Sequence, residues 1–255
     1  MTIQEVSEKF GYCQPTIAKI LRMFKVKPYS KARLFSPELD EGYFDNIDSE
    51  AKAYFLGLIM TDGCIHTTKG RTPLLAMSIK AEDDYILHKF KDEIHSNKKI
   101  TSDGRGCSEI QIVSKRIVDA LKTLGVTERK SLKEVLPHDI DKRLMNHFIR
   151  GVFDGDGNFS FRARTGRKVH QKSIRLCGGV PLLEAVVKYL HNSIGTSEVN
   201  LIKEQHSDGL YAISYSRKAD LIKLSEYLYS DATIYLERKK RICDLIYEEA
   251  VRYTK

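Results

Sequence analysis

Apolar residues recur at helical spacing at the start of the chain. A first set shares one helical face, namely Ile3, Val6 and Phe10. Thr2 and Glu5 have the spacing of a capping box, and Gly11 favours a helix exit. A second helix is predicted from Gln14-Pro15, since Pro suits a first helical turn. Its predicted buried stripe is Ile17, Ile20, Leu21 and Phe24.

The outer face of this second helix is polar and basic. It carries Gln14, Thr16, Lys19 and Arg22. Two helices joined by a glycine turn have the spacing of a helix-turn-helix, whose second helix enters the major groove of DNA. An ordinary helical hairpin has the same spacing, but the basic face favours DNA binding. We therefore predict a small all-α helix-turn-helix module at residues 1–34, followed by a linker at 35–50.

Two later segments of the chain, residues 55–63 and 149–157, repeat one pattern. Each is mainly apolar and has a central glycine, an aspartate in the last turn and a final glycine. The recurring residues are Gly57, Asp62 and Gly63 in the first copy and Gly151, Asp156 and Gly157 in the second. Even Glu128-Arg129-Lys130 is echoed by Glu237-Arg238-Lys239. The pattern indicates a tandem duplication.

Alternating polar and apolar residues follow each copy, and then further helical stretches. The order predicts an α+β fold made of two pseudo-symmetric αββαββα repeats. We place the repeats at residues 51–146 and 147–247, with a C-terminal tail at 248–255.

The two copies carry candidate chemistry at their ends. Glycine inside a helix costs roughly 0.5–1 kcal/mol relative to alanine, and a close approach of two helices would offset that cost. If the two apolar helices pack together, Asp62 and Asp156 come side by side. Nearby carboxylates repel each other unless a cation lies between them, and hard oxygen ligands favour Mg²⁺ (or Mn²⁺). The sequence therefore predicts a divalent metal site, with any backbone ligand left open.

The predicted sheets each have one polar face. In the first copy that face carries Cys64, His66, Thr68, Ser78 and Lys80. Between Asp156 and Glu184 there are six basic residues and no acid: Arg162, Arg164, Arg167, Lys168, Lys172 and Arg175. Side chains of like charge repel on a merely solvated face, so a β-ribbon lying in a DNA major groove accounts for them better. We predict that these basic residues, with the polar residues of the first copy, contact DNA.

Composition agrees with this picture and excludes other classes. The 255 residues carry a net charge of +8, and residues 1–34 hold seven basic against two acidic side chains. Five scattered cysteines without CxxC spacing argue against a zinc site or a disulfide framework and favour a reducing cytoplasm. The apolar runs fall short of the roughly 20 residues of a membrane span.

Residues 57–63 and 151–157 resemble the two LAGLIDADG motifs of monomeric homing endonucleases. The resemblance covers residues 50–245 and departs from the family at Met60, where an acid is common. It implies a magnesium-dependent enzyme that hydrolyses both strands of a long, nearly asymmetric DNA site as a monomer. It also implies a basic residue at the end of each last strand near the scissile phosphate, here Lys115 and either Lys218 or Arg217. Ser78 and Cys177 would lie near the metal-bound water.

Other functions are compatible with the same predicted fold. A DNA-binding regulator that does not cut, or an intron RNA maturase, could share the fold; retention of both aspartates favours cleavage. An intein is disfavoured because the chain has no terminal His-Asn followed by a nucleophile. A purely structural module leaves the paired Asp-Gly sites unexplained.

Overall fold

A computed structural model describes residues 3–24, 26, 38–128, 135–137, 140–163, 170–205 and 208–252. The side chains of residues 4 and 5 are excepted. Several predictions fall outside these residues, namely the capping box and the DNA contacts of Arg164, Arg167 and Lys168.

The two front helices form where predicted. They are α1 (Ile3–Phe10) and α2 (Gln14–Met23), joined by Gly11 at φ +69°. The predicted buried stripe of α2 is wrong at two positions, since Ile20 is 40% exposed and Phe24 is 74% exposed, while Ile17 is buried. Two helices this short share too little surface to cover a whole stripe.

The stretch after the front helices contributes to the core. Tyr43 and Phe44 lie inside the predicted linker and yet are buried, at 3% and 1% exposure. The Tyr43 hydroxyl donates a hydrogen bond to Glu93 Oε2 at 3.0 Å. Tyr43 and Phe44 therefore belong to the hydrophobic core, although many of their neighbours in the sequence are acidic.

The first repeat runs from a buried helix into a four-stranded sheet. Ser49 caps α3 (Glu50–Asp62) by accepting from the Lys52 amide. Behind it come β1 (Gly63–His66), β2 (Leu74–Lys80), α4 (Tyr85–Glu93), β3 (Thr101–Ser102), β4 (Cys107–Val113) and α5 (Lys115–Thr123). A 3₁₀ turn, Ala81–Asp83, leads into α4.

The second repeat has the same order. It comprises α6 (Met145–Asp156), β5 (Gly157–Arg162), β6 (Gln171–Gly178), α7 (Val180–Ile194), β7 (Ile202–Lys203), β8 (Tyr211–Tyr215) and α8 (Lys218–Tyr229). A final helix, α9 (Glu237–Arg252), continues through residue 248, where the tail was predicted to begin.

The two sheets are alike in topology and register. Their strand orders are β1-β2-β4-β3 and β5-β6-β8-β7, with antiparallel pairing throughout the described residues. Gly63 pairs with Met77, and Gly157 pairs with Leu176 at the corresponding place. Apolar side chains of both sheets are buried against the helices, and polar ones face outward. The predicted duplicated α+β fold is confirmed.

The helices α3 and α6 pack against each other through their glycines. The Cα atom of Gly151 lies 3.1 Å from where a Cβ on Gly57 would sit, and the reverse contact is equally close. A Cβ on Gly57 would meet Phe148 O at 2.1 Å, and one on Gly151 would meet Tyr54 O at 2.2 Å. No side chain fits here, so the cost of helical glycine is offset by backbone contact.

The opposite end of this helix pair is joined by a buried ion pair. Arg150 of α6 is fully buried and donates to Glu50 Oε1 of α3 at 2.6 Å. Its remaining guanidinium protons reach Ile234 O at 2.9 Å, Leu228 O at 3.1 Å and His147 Nδ1 at 2.9 Å. The Arg150 network therefore fixes both central helices to the segment before α9.

No helix in the described part of the chain is long and apolar enough to cross a membrane.

Candidate metal site and nucleic-acid interface

The last turns of α3 and α6 meet at one point. Since Gly57 faces Gly151, the two helices run in parallel and end together at Asp62 and Asp156. The Oδ2 atom of Asp62 lies 3.2 Å from where a Cβ on Gly155 would sit. Asp62 is half-buried and Asp156 is exposed. The helix pairing thus places both carboxylates at the junction of the two sheets.

Lys239, on the first turn of α9, lies against this junction. It is 5% exposed, and its Nζ donates to the carbonyl oxygens of Phe153 at 3.0 Å, Asp154 and Gly155 at 2.9 Å. These are the last carbonyls of α6, where a cation also favours the helix dipole. Burial lowers the pKa of Lys239 to about 8, while nearby carboxylates, including Asp62 and Asp156, act in the opposite direction.

Asp154 anchors the segment that carries Lys239. This buried carboxylate accepts hydrogen bonds from the hydroxyls of Tyr54 at 2.9 Å and Tyr229 at 2.7 Å, and from the Leu236 amide at 2.8 Å. Burial raises the pKa of Asp154, against these bonds, which favour the charged form. The equivalent position of the first repeat is Met60. This acid is therefore a structural anchor of one repeat only.

The donor set at the junction suits a hard divalent cation. Asp62 and Asp156 offer only oxygen ligands, and Mg²⁺ is commonly held by one or two carboxylates with several waters. The close approach depends on Gly155, where a Cβ would lie 1.8 Å from Thr61 Oγ1. Among the described residues no group of three or more His, Cys, Asp or Glu side chains gathers as a metal site, so the junction offers a pair of carboxylates. The residues present therefore fit such an ion.

The outer face of the first sheet has the predicted composition. Cys64, His66, Ser78 and Lys80 are exposed on β1 and β2, and Thr68 is exposed in the turn between them. Ser78 follows Met77, the partner of Gly63, and so lies close to the end of α3. Glu109 and Gln111 share this face on β4 and bond to each other at 2.5 Å. The face is thus polar but close to neutral.

The outer face of the second sheet carries Arg162, which is exposed, and Arg175. Arg175 pairs with Glu204, which lies beyond β7 in the sequence. Cys177 lies on the same face, half-buried.

The prediction for Lys172 needs correction. It is paired with Phe161 in the sheet register and so points to the helix side, where its Nζ lies 2.8 Å from Glu249 of α9. Lys172 is therefore not part of the DNA-facing set. Glu204 and Glu249 therefore pair with two of the six basic residues between Asp156 and Glu184.

The lysines predicted to assist the reaction lie elsewhere. Lys115 begins α5 after Val113, and Val113 pairs with Leu74 near the far end of β1 from Asp62. Three residues of strand separate Leu74 from Met77, which is about 10 Å. Lys115 is exposed and pairs with Asp119 on its own helix.

The second-repeat counterparts also lie at the start of a helix, and their role stays a prediction. Lys218 begins α8, and Arg217, its N-cap residue, donates to Ser197 Oγ at 2.9 Å. Strand parity does not extend to these residues, because a helix starts within three residues of the end of each strand. Lys239 was missed, although the echo of Glu128-Arg129-Lys130 contained it; its counterpart Lys130 is outside the described residues.

The outer residues of α2 are where the pattern placed them. Gln14, Thr16, Lys19 and Arg22 are all exposed. Thr16 Oγ1 lies 3.0 Å from Cys13 Sγ at the start of the helix.

Two four-stranded sheets flanking a parallel pair of glycine-packed helices, with an aspartate at the end of each helix, define the LAGLIDADG endonuclease fold. Comparison with solved structures agrees. The meganuclease I-AabMI bound to uncleaved DNA has a TM-score of 0.55 at 15% identity, over 79% of this chain and 91% of that one. The homing endonuclease I-GzeII in complex with its DNA target has a TM-score of 0.58 at 12% identity, over 82% and 91%.

A third structure, I-SmaMI bound to an uncleaved DNA target in the presence of calcium ions, has a TM-score of 0.54 at 11% identity, over 82% of this chain and 92% of that one. The sequence matches no family model and no curated protein. The resemblance predicted from the two motifs is thus confirmed at the level of the fold.

Proposed function

We propose that this protein is a site-specific DNA endonuclease that cuts both strands of a double-stranded target by hydrolysis of phosphodiester bonds. The observation that carries the proposal is the meeting of Asp62, Asp156 and Lys239 at the junction of two outward-facing sheets. A generic helix pair has no reason to end in two carboxylates beside a buried lysine.

The residues at the junction have separate roles in this proposal. Asp62 and Asp156 would hold Mg²⁺ (or Mn²⁺), which when bound supplies charge stabilisation at the reacting phosphate. Lys239 places a positive charge beside the carboxylates and next to the phosphate that is cut. Asp154 keeps Lys239 in place by holding the Leu236 amide. The close helix packing supports this arrangement, because it brings the ends of α3 and α6 together.

The surfaces on either side of the junction would bind the substrate. The outer sheet faces carry His66, Ser78 and Lys80 in the first repeat and Arg162 and Arg175 in the second. Because the two faces differ in charge and residue type, a monomer would read a long target whose halves are not identical. The α2 face with Lys19 and Arg22 would add a further DNA contact as a helix-turn-helix.

The test is selection of cleaved sites from a randomised DNA pool with Mg²⁺ present, followed by cleavage assays on the selected duplex. We expect linear product from the intact protein and none when a chelator replaces Mg²⁺. Asp62→Asn and Asp156→Asn are expected to abolish cleavage while the duplex is still bound, since neither removes a groove-facing contact. Asp92→Asn, which alters an exposed carboxylate of α4 in the same way, is the control and is expected to retain cleavage.

Two results would contradict the proposal. Specific DNA binding without any cut strand would indicate a regulator, and specific binding of RNA without DNA cleavage would indicate a maturase.

A further inference from the structure

The segment that leads into Lys239 is held by the first repeat as well as by its own. The Tyr85 hydroxyl, at the start of α4, accepts a hydrogen bond from the Glu237 amide at 2.7 Å and donates one to Tyr235 O at 3.2 Å. It thereby caps the first turn of α9 from across the molecule. Both hydrogen-bonding functions of this hydroxyl are used on one short segment.

An ion pair reinforces the same contact. Arg238 Nε donates to Asp83 Oδ2 at 2.7 Å, and the Asp83 residue is only 2% exposed. Glu82 lies 3.6 Å from the same nitrogen, but its side chain is 61% exposed. A buried carboxylate that meets a planar guanidinium fixes direction as well as distance, so Asp83 is the member of the pair that sets the position of Arg238.

These contacts hold the two residues that come immediately before Lys239 in the chain. Glu237 and Arg238 directly precede it in a helix that rises 1.5 Å per residue, so their anchors lie within one turn of its Cα. The second repeat holds the other side, through Asp154 and the α6 carbonyls. The ammonium group of Lys239 is therefore positioned by two independent sets of contacts, one from each repeat.

The positions of the second repeat that match Asp83 and Tyr85 carry other side chains. In the register shared by β2 and β6, the position of Asp83 corresponds to Leu182 and that of Tyr85 to Glu184. Leu182 is 1% exposed and packs in the core, and its apolar side chain cannot form an ion pair as Asp83 does. The Asp83 and Tyr85 contacts to the segment before Lys239 therefore have no Asp and Tyr pair at the matching positions of the second repeat.

We infer that Asp83 and Tyr85 are positioning residues for Lys239, so that cutting of one DNA strand depends on them and cutting of the other does not. The inference rests on the proposed nuclease function. A displacement of about 1 Å at a catalytic site can cost roughly 100-fold in rate. Loss of one of the two sets of contacts is expected to lower the cleavage rate of the strand nearest Lys239 by about 10- to 100-fold.

The experiment follows both strands separately. A selected target duplex carries a different fluorophore on each strand and is cut under single-turnover conditions by the full-length protein. For Tyr85→Phe and Asp83→Asn we expect slow cutting of one strand, near-normal cutting of the other, accumulation of nicked duplex and unchanged DNA affinity. Tyr247→Phe is the matched control for Tyr85→Phe. It removes an exposed hydroxyl of α9 that is bonded to Glu226. Glu82→Gln is the control for Asp83→Asn.

A second readout does not depend on cleavage. Acylation of Lys239 by an amine-reactive ester, measured by peptide mass spectrometry, is expected to rise several-fold in Tyr85→Phe. Acylation of Lys172, which is held by Glu249, is expected to stay constant.

Equal slowing of both strands, or no slowing, would overturn the inference while leaving the nuclease proposal intact. Unchanged acylation of Lys239 in Tyr85→Phe would overturn it too. A wild-type protein that cuts no DNA would instead refute the proposed function, and the acylation result would still decide whether Asp83 and Tyr85 hold Lys239.

Discussion

Replacement of Gly155 by alanine tests the geometry of the metal site most directly. The new Cβ would lie 1.8 Å from Thr61 Oγ1 and 2.6 Å from Thr61 Cβ. Rotation of the Thr61 side chain moves Oγ1 but not Cβ, so restoring an ordinary contact of 3.4 Å requires the ends of α3 and α6 to separate by about 0.8 Å (3.4 − 2.6). This movement carries Asp62 away from Asp156.

The expected cost has two parts. Overpacking of this kind destabilises a protein by about 1–3 kcal/mol, and each kcal/mol lowers Tm by roughly 2–4 °C in a domain of this size. Misplacement of reacting groups by about 1 Å is expected to slow cleavage by about 100-fold. The rate loss should therefore exceed what partial unfolding explains at a temperature well below Tm.

The assay combines thermal unfolding with single-turnover cleavage of the selected duplex. Gly178→Ala is the matched control, since a Cβ there would meet only Leu182 and Leu183 at 3.6–3.8 Å, which is ordinary contact. Thr61→Gly combined with Gly155→Ala removes both clashing atoms and should restore much of the activity. Full activity of Gly155→Ala alone would refute the idea that the two carboxylates must lie this close.

Three further predictions concern separate parts of the molecule. Lys239→Gln is expected to slow cleavage by at least about 100-fold with DNA affinity retained, whereas Lys115→Ala should act weakly; the reverse order in a cleavage assay would restore the sequence-based assignment. Glu50→Gln leaves the buried Arg150 guanidinium without its carboxylate, and we expect a loss of about 3 kcal/mol in the free energy of unfolding, measured with urea; a loss under about 1 kcal/mol would contradict the account. Neutralising Lys19 and Arg22 together should lower the salt dependence of DNA affinity by up to about two phosphate contacts, and an unchanged slope would show that α2 does not touch DNA.

The local pattern of the sequence predicted some parts of the protein and missed others. The repeat, the polar and apolar faces of the strands and the two aspartates follow from periodicity and self-similarity. Lys115 and Lys218 were chosen by strand parity, which fails when a helix begins directly after the strand. Lys172 was counted among DNA contacts because its acidic partner, Glu249, is distant in sequence.

The sequence by itself therefore determined the order of helices and strands within each repeat, that the unit is duplicated, and that two carboxylates end matching helices. Only the tertiary structure decided which cation reaches those carboxylates, because the approach of Lys239 depends on contacts between residues about 80 to 150 positions apart. Such contacts leave no periodicity in the chain. They depend on how the two repeats and the final helix pack, and that packing is a property of the whole fold.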